Sequence, residues 1–523
     1  MEGVSPADVA RGRRDRFPWV VLLFFLSLTA ALVAGDRLRP GGRELIKISG
    51  VDEVAYYSMC HSLLFDRDMD LTNEYDRLRV DRNLGQKYFA VVPETGRPRS
   101  VFPIGFSILE MPFLVAGNAL DLLTGGAGDG YSRSCVGAFF IGVLFYLCLG
   151  LLLTQRLLLA ISSGEANAGE RAVLAGVIAF LLWPSTTLLY YSFMLLAQTA
   201  SFMATALFLL MYLRARRSAV AWRWAAAGAA AGLMALCRWQ DLLFVATAVV
   251  DELLSRSHEF RPEEGWAAWA RCRAVATVAA LGAFLPQLLA WKSLFGRYVT
   301  IPQGVDFFAF PPPHLGRVLA SSQNGWFTWT PVAVIGVVGL LAGGRRRPGL
   351  AASLVAPIVL QWLLIGSLRD SWHGHLFGMR MLTSCAPLLG VGLLWLLLDG
   401  SRTRRAVVLA LTTACGAYTF LFAVQYRLDL VPREDRLTAE ELVWDKIRFL
   451  RALRRRAAER AIEARLEGDP AGSAKAADEA ILAFGPDRRL LELLAEARGR
   501  SGDRDGQRAA EERLKEQLAA RLF

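Results

Sequence analysis

Twelve apolar runs, each separated from the next by a polar or arginine-bearing link, set the first limit on this sequence. A helix crosses a hydrocarbon core with about 20 apolar residues, because a helix satisfies its own backbone N–H and C=O groups where no water can. The runs are Pro18–Gly35, Phe102–Leu122, Cys135–Leu153, Ala172–Tyr191, Leu195–Leu213, Trp222–Cys237, Leu242–Leu254, Ala274–Trp291, Thr330–Ala342, Leu350–Gly366, Leu382–Leu398 and Ala406–Val424. The expectation is an all-α polytopic transmembrane bundle of about 11–13 helices over residues 18–425. Composition agrees: 54% of residues are hydrophobic and mean hydropathy is +0.33, against about 45–50% apolar in soluble chains. The excess ends near Gln425, and residues 436–523 read as a polar, helical, soluble tail.

The net charge of +11 needs no nucleic acid to explain it. Arginine collects in short links, at "RARRSAVAWR" from Arg214, "GGRRRPG" from Gly343 and "SRTRR" from Ser401, as the positive-inside bias requires of cytoplasmic loops. Residues 1–17, with Arg11, Arg13, Arg14 and Arg16, read as a cytoplasmic N-terminus ahead of an uncleaved first helix, since no small-residue cleavage site follows. Loops 36–101, 292–328 and 367–380 then face outward. Counting Phe102–Leu122 as a full span would put the Arg214 cluster outside. A re-entrant or interfacial segment there, or a shifted boundary elsewhere, restores the agreement. The same parity fixes the side of the tail, whose basic run from Arg448 to Arg460 favours the inside. Seven scattered cysteines with no CxxC pair give neither a disulfide framework nor a zinc site.

Loop 36–101 is far longer than the roughly 4–6 residues of an ordinary connection, and long loops on rigid scaffolds tend to carry function. In the tail, Gly468-Asp469 and Gly502-Asp503 stand 34 residues apart, with Gly485-Pro486 between them. That period with helix–turn–helix patterning resembles tetratricopeptide repeats. Two units are fewer than such arrays need, so the tail must pack on something, and it is a candidate surface for a protein partner; a charged helical hairpin without a partner fits the same residues.

The stretch "GVDEVAYYSMCHSLL" carries the strongest candidate chemistry. If it is helical from Glu53, then Glu53, Tyr57 and His61 share a face at i, i+4, i+8, with Asp52 at or near the N-cap. Capping and dipole complementarity account for the Asp52-Glu53 pair at about 1 kcal/mol. They do not explain two carboxylates close to a bilayer, where a charge costs several kcal/mol as it goes deeper. "CRWQDLL" places Arg238 and Asp241 between apolar runs at i, i+3, either as an internal ion pair at a helix break or as a functional site.

An uncleaved first helix followed by an acidic pair opening a long outer loop resembles the GT-C glycosyltransferases. These are polytopic enzymes that use polyprenyl-phosphate sugars, among them protein O-mannosyltransferases and lipid A aminoarabinose transferases. Asp52-Glu53 matches their first-loop motif. "GQKYFAVVPETGRPRSVFPIGFSILEMPF", "WPSTTLLYYSFMLLAQ" and "SLRDSWHGHLFGMRMLTSCAPLL" resemble later family stretches in the same order. Gln198 departs from the pattern, standing where the family often has a carboxylate. The resemblance covers residues 18–425. It implies a multi-pass protein of a bacterial cytoplasmic membrane with its active site outside, moving a sugar to an envelope glycan, lipid or protein acceptor.

On this resemblance Asp52 is the general base for the acceptor hydroxyl, and Glu53 orients either Asp52 or the acceptor. Cations would meet the leaving lipid phosphate: Arg380 first, then His373 and His375, with Lys87, Arg97 and Arg99 from the first loop. Tyr56, Tyr57, His61, Tyr88, Tyr191, Gln198 and Trp372 would line the substrate. Each has a plainer use. Arg380 can snorkel at the interface, and His61 can be a packed helix residue. No metal is assigned, although His373 and His375 form an HxH pair compatible with a divalent cation, which some members of the superfamily use. Two other classes fit parts of the sequence, a lipid or glycan transporter and a non-catalytic envelope assembly protein. The first lacks the repeated halves with broken helices that transporters show. The second gains from Gln198 and loses from the intact acidic pair.

Overall fold

The computed structural model describes residues 16–38, 46–78, 89–162, 167–216, 218–255, 265–369, 377–433 and 435–520. Among them the secondary structure is helical without a strand, and the extended pairings are two isolated bridges, Val91–Pro98 and Phe308–Leu368. In chain order the main helices are α1 (Phe17–Leu38), α2 (Val51–His61), α3 (Thr72–Arg77), α4 (Gly105–Leu123), α5 (Arg133–Ile161), α6 (Ala168–Ser185), α7 (Gln198–Ala215), α8 (Ala221–Cys237) and α9 (Ala246–Ser255). There follow α10 (Gly265–Phe295), α11 (Val332–Gly343), α12 (Pro348–Gly366), α13 (Ala386–Leu398), α14 (Arg402–Arg427), α15 (Phe449–Arg465), α16 (Pro470–Phe484), α17 (Arg488–Ser501) and α18 (Arg504–Ala520).

Eight of these are long and apolar enough to cross a membrane: α1, α4, α5, α6, α10, α12, α14, and α13 with the 3-10 turn Arg380–Cys385 that leads into it. The protein is thus an all-α, multi-pass membrane bundle. The other four apolar runs fall on α7, α8, α9 and α11, which are shorter or less apolar. Phe102–Leu122, the run at odds with the charge pattern, forms α4, whose 19 residues suffice to span.

Two compact units divide the chain. The first holds residues up to Leu315, Thr330–Ser371 and Arg380–Gly416; the second holds Gly316–Trp329, Trp372–Met379 and Ala417–Phe523. In the first unit small residues let helices meet backbone to backbone. A Cβ on Gly228 or Gly232 of α8 would strike the Ala276 or Ala280 carbonyl of α10, and one on Gly339 of α11 would strike Gly392 of α13. Close approach of this kind drives helix association where no hydrophobic effect operates between helices in lipid.

In the second unit the four tail helices pack around Ile462, Leu466, Ala477, Leu490, Leu493, Leu494 and Ala510. Asp469 accepts from the Gly472 N–H at 2.9 Å, and Asp503 accepts from the Gly506 N–H at 3.0 Å. The 34-residue spacing is therefore one turn used twice, each time starting a helix with an aspartate that satisfies an orphan N–H.

Candidate functional site

Helix α2 follows α1 after a short link and is too short and too polar to span. Its N-terminus is fixed by Glu53, not by Asp52. The Glu53 Oε2 accepts from the Ser49 N–H (2.8 Å), the Ser49 hydroxyl (3.0 Å) and the Gly50 N–H (3.1 Å). Its Oε1 accepts from the Leu195 N–H at 3.2 Å. A glutamate at the third helical position reaches back this way in a capping box. Glu53 is buried, both its oxygens are engaged, and it pins α2 to the turn before α7. These four hydrogen bonds give it a framing role, holding the start of α2 beside Asp52. Gly50 is the cap, and Asp52, expected at or near it, sits inside the first turn.

Asp52 Oδ2 accepts from Arg380 Nη1 at 2.5 Å, across 328 positions of chain. Both side chains are partly open, 23% exposed for Asp52 and 18% for Arg380. Sequence reading named these two as base and phosphate cation, and the fold brings them together. Tyr56 and Tyr191, expected to line the substrate, are both buried. Tyr56 stacks edge-on against Phe106, with ring centroids 5.2 Å apart.

Arg380 is held by its backbone. Its carbonyl accepts from Arg238 Nη1 (3.2 Å) and from the Thr383 hydroxyl (2.7 Å), and the Met381 carbonyl accepts from the Gln240 amide (3.2 Å). Thr383 shares a 2.7 Å hydrogen bond with Thr187, and Ser384 donates to Asp241 Oδ2 at 2.9 Å. Asp241 also accepts from Ser201 and, at 3.3 Å, from the Gln361 amide. Two 3-10 turns, Trp239–Val245 and Arg380–Cys385, are thus laced together by hydroxyls and amides. The ion pair expected between Arg238 and Asp241 does not form. Asp241 is satisfied by neutral donors, and Arg238 spends a guanidinium N–H on the Arg380 carbonyl.

Other expected site residues lie elsewhere. Tyr57 is fully buried, its hydroxyl donating to the Gly130 carbonyl at 2.6 Å. Gln198 opens α7 one turn before Ser201, buried, with its Oε1 lacking a hydrogen-bond partner. Arg97 donates to the hydroxyl and the carbonyl (3.3 Å) of Ser293 at the end of α10, and Arg99 pairs its N–H with the Ala90 carbonyl in the small hairpin bridged at Val91 and Pro98. These contacts tie the first loop to α10. Lys87, Tyr88, Trp372, His373 and His375 lie outside the described residues.

His61 is at the far end of α2 from Asp52. Its Nε2 donates to the Asp129 carbonyl at 3.0 Å, and its Nδ1 lies 3.1 Å from Glu74 Oε1 and 3.9 Å from Asp66 Oδ2. Burial opposes an imidazolium here, but the contacts to Glu74 and the Asp129 carbonyl outweigh it, so the His61 pKa lies above its ordinary value. Asp66, Glu74, Ser201, Gln361 and Ser384 were not singled out by sequence reading. The legible signal for the last three is a polar residue inside an apolar run.

The chain matches no protein-family model, and no curated protein matches it.

Proposed function

We propose that the chain is a membrane glycosyltransferase of the GT-C kind, moving a sugar from a polyprenyl-phosphate donor to an envelope glycan, lipid or protein acceptor on the outer face of a bacterial cytoplasmic membrane. The observation that carries this reading is the Asp52–Arg380 pair: a partly open carboxylate and a partly open guanidinium, met at the start of the first outer loop and framed by groups that are themselves saturated.

The pair gives the reaction an order. A lipid phosphate competes for Arg380, because a guanidinium binds phosphate bidentately with charge-assisted hydrogen bonds. Asp52 Oδ2 then loses its cation as the acceptor hydroxyl arrives and needs a base. The acceptor O–H bond breaks toward Asp52, and the acceptor oxygen bonds the anomeric carbon. The carbon–oxygen bond to phosphate breaks with its electron pair going to the phosphate, where Arg380 meets the growing charge. Attack opposite the phosphate inverts the anomeric centre.

The test is in the native host. The gene is deleted and restored as wild type or as Asp52→Asn at equal protein level, and envelope glycans and glycosylated proteins are weighed. A sugar-sized mass loss rescued by wild type and not by Asp52→Asn is expected. Equal rescue by both removes Asp52 as the base and, with it, this mechanism.

A further inference from the structure

His61, Asp66 and Glu74 bring one imidazole and two carboxylates to the same place at the end of α2. One ligand atom from each residue lies within 4.8 Å of the others. The Asp129 carbonyl can only accept, so His61 Nε2 carries the hydrogen of that 3.0 Å bond. In the neutral ring Nδ1 is then an acceptor facing the Glu74 and Asp66 carboxylates, with the Tyr131 hydroxyl 3.3 Å away as a long donor that a metal ion would displace. Glu74 makes the case sharper. Its side chain is 0% exposed, and its second oxygen, Oε2, is buried with no hydrogen-bond partner. A buried carboxylate oxygen without a donor costs several kcal/mol unless a cation or proton sits there. The nearby Arg77 is engaged with Asp129 at 3.4 Å and lies over the Tyr131 ring.

We propose that His61 Nδ1, Asp66 and Glu74 bind a divalent transition-metal cation that staples the outer loop. The donor set selects the class of ion: one imidazole nitrogen with two carboxylates suits Zn²⁺ or Mn²⁺, whereas Ca²⁺ and Mg²⁺ prefer oxygen alone. Two carboxylates and a neutral imidazole carry the two negative charges such an ion balances. The Asp129 carbonyl plays the outer-shell part that metal-bound imidazoles need, fixing ring and tautomer through Nε2. Asp66, 33% exposed, gives a path to solvent and room for water ligands. Asp66 Oδ2 accepts from the Asn73 amide at 2.9 Å, which holds that carboxylate toward His61, while Asp68 accepts from Ser62 and the Asp70 N–H, and Asp70 accepts from Thr72. The ion would join the end of α2, the turn after it and α3, with the loop at Asp129 held to them through His61 Nε2, and so add to the packing of Tyr57, Leu71 and Tyr75.

The experiment uses the full chain in detergent, stripped with EDTA, re-equilibrated with Zn²⁺ or Mn²⁺, desalted and read by mass spectrometry of the metal. About one ion per chain is expected for wild type, with a higher thermal midpoint than the stripped protein. Asp66→Asn, at a partly open position, should weaken binding on the order of tenfold or more, and Glu74→Gln likewise. Cys415→Ser, at the one cysteine that is not fully buried, should leave it unchanged. Should Glu74→Gln fail to fold, the Mn²⁺-loaded wild type is read by pulsed electron paramagnetic resonance for ¹⁴N coupling from His61. No retained ion, equal retention in Asp66→Asn, or Mn²⁺ without nitrogen coupling would each overturn the proposal and leave a protonated His61 as the occupant of the gap.

Discussion

Asp52 and Asp241 are aspartates that serve the same pair of 3-10 turns, and they are treated in opposite ways. Asp241 is fully buried and takes hydrogen bonds from Ser201, Ser384 and Gln361. Asp52 is partly open and has one strong partner, Arg380. A buried carboxylate with donors on both oxygens holds its neighbours in place and is closed to a substrate. A carboxylate with one cation and spare lone pairs can exchange that cation for another task. The pairing of a saturated support with an unsaturated working group is what a preorganised site requires.

The largest test of the contrast is on turnover. On the proposed function, Asp52→Asn should lower sugar transfer by about 10²–10⁴-fold, measured with purified protein and a polyprenyl-phosphate donor. It should cost about 1–2 kcal/mol in stability, since the pair is mostly buried yet keeps some access to water. Asp241→Asn should do the reverse. It places an amide N–H₂ against hydroxyls and an amide arranged as donors, and removes a charge-assisted network, for a loss of about 2–4 kcal/mol in thermal or denaturant unfolding. Equal destabilisation by the two variants would break the comparison and make Asp52 a structural residue as well.

How far the sequence foretold this follows from the range of each interaction. The apolar runs and arginine links are local signals, so the all-α membrane bundle was legible, as was the 34-residue recurrence in the tail. Asp52 and Arg380 could be named, but their meeting, 328 positions apart, depends on how α2 and the 3-10 turns pack. Glu53 shows the limit from the other side. Its position in an acidic pair pointed to chemistry, whereas the backbone N–H groups of Ser49, Gly50 and Leu195 that consume it carry no side-chain signature. His61 was legible as sharing a face with Glu53 and Tyr57, but that face turned out to be buried, and its partners Asp66 and Glu74 reach it only through the sharp turn after α2.

A smaller effect extends the contrast to the second unit. Lys446 donates to the carbonyls of Glu441 (3.2 Å) and Leu442 (2.5 Å) and lies over the rings of Phe422 (3.8 Å) and Tyr418 (4.7 Å). Burial pushes its pKa down to about 7, against the pull of Asp445 and Glu441. With a folded value below the unfolded one, the unfolded chain binds more protons between pH 7 and the ordinary lysine range, so stability rises with pH across that window. The gain from pH 7 to 9 should be at most about 2 kcal/mol, because the ring faces favour the charged form and oppose part of the shift. Thermal midpoints of wild type and Lys446→Met at the two pH values check it. The rise should be absent in the variant, and an identical rise in both would assign it to other groups.

The smallest expected effect separates burial from function most cleanly. Glu110 of α4 is 0% exposed, and neither of its carboxyl oxygens has a hydrogen-bond partner, although it lies against Gly142 of α5 with no space for a Cβ between them. It is the opposite of Asp241, buried yet unserved. On the reasoning that a polar group earns its burial through its partners, replacing it with an apolar residue of similar length should not destabilise the bundle. Glu110→Met should raise stability by about 1 kcal/mol or leave it unchanged, with sugar transfer intact. Thermal unfolding and the transfer assay read the two halves separately. Loss of transfer in a well-folded Glu110→Met protein would show that an unserved carboxyl can be a working group even without exposure, and would extend the candidate site from the loop after α1 into the membrane helices.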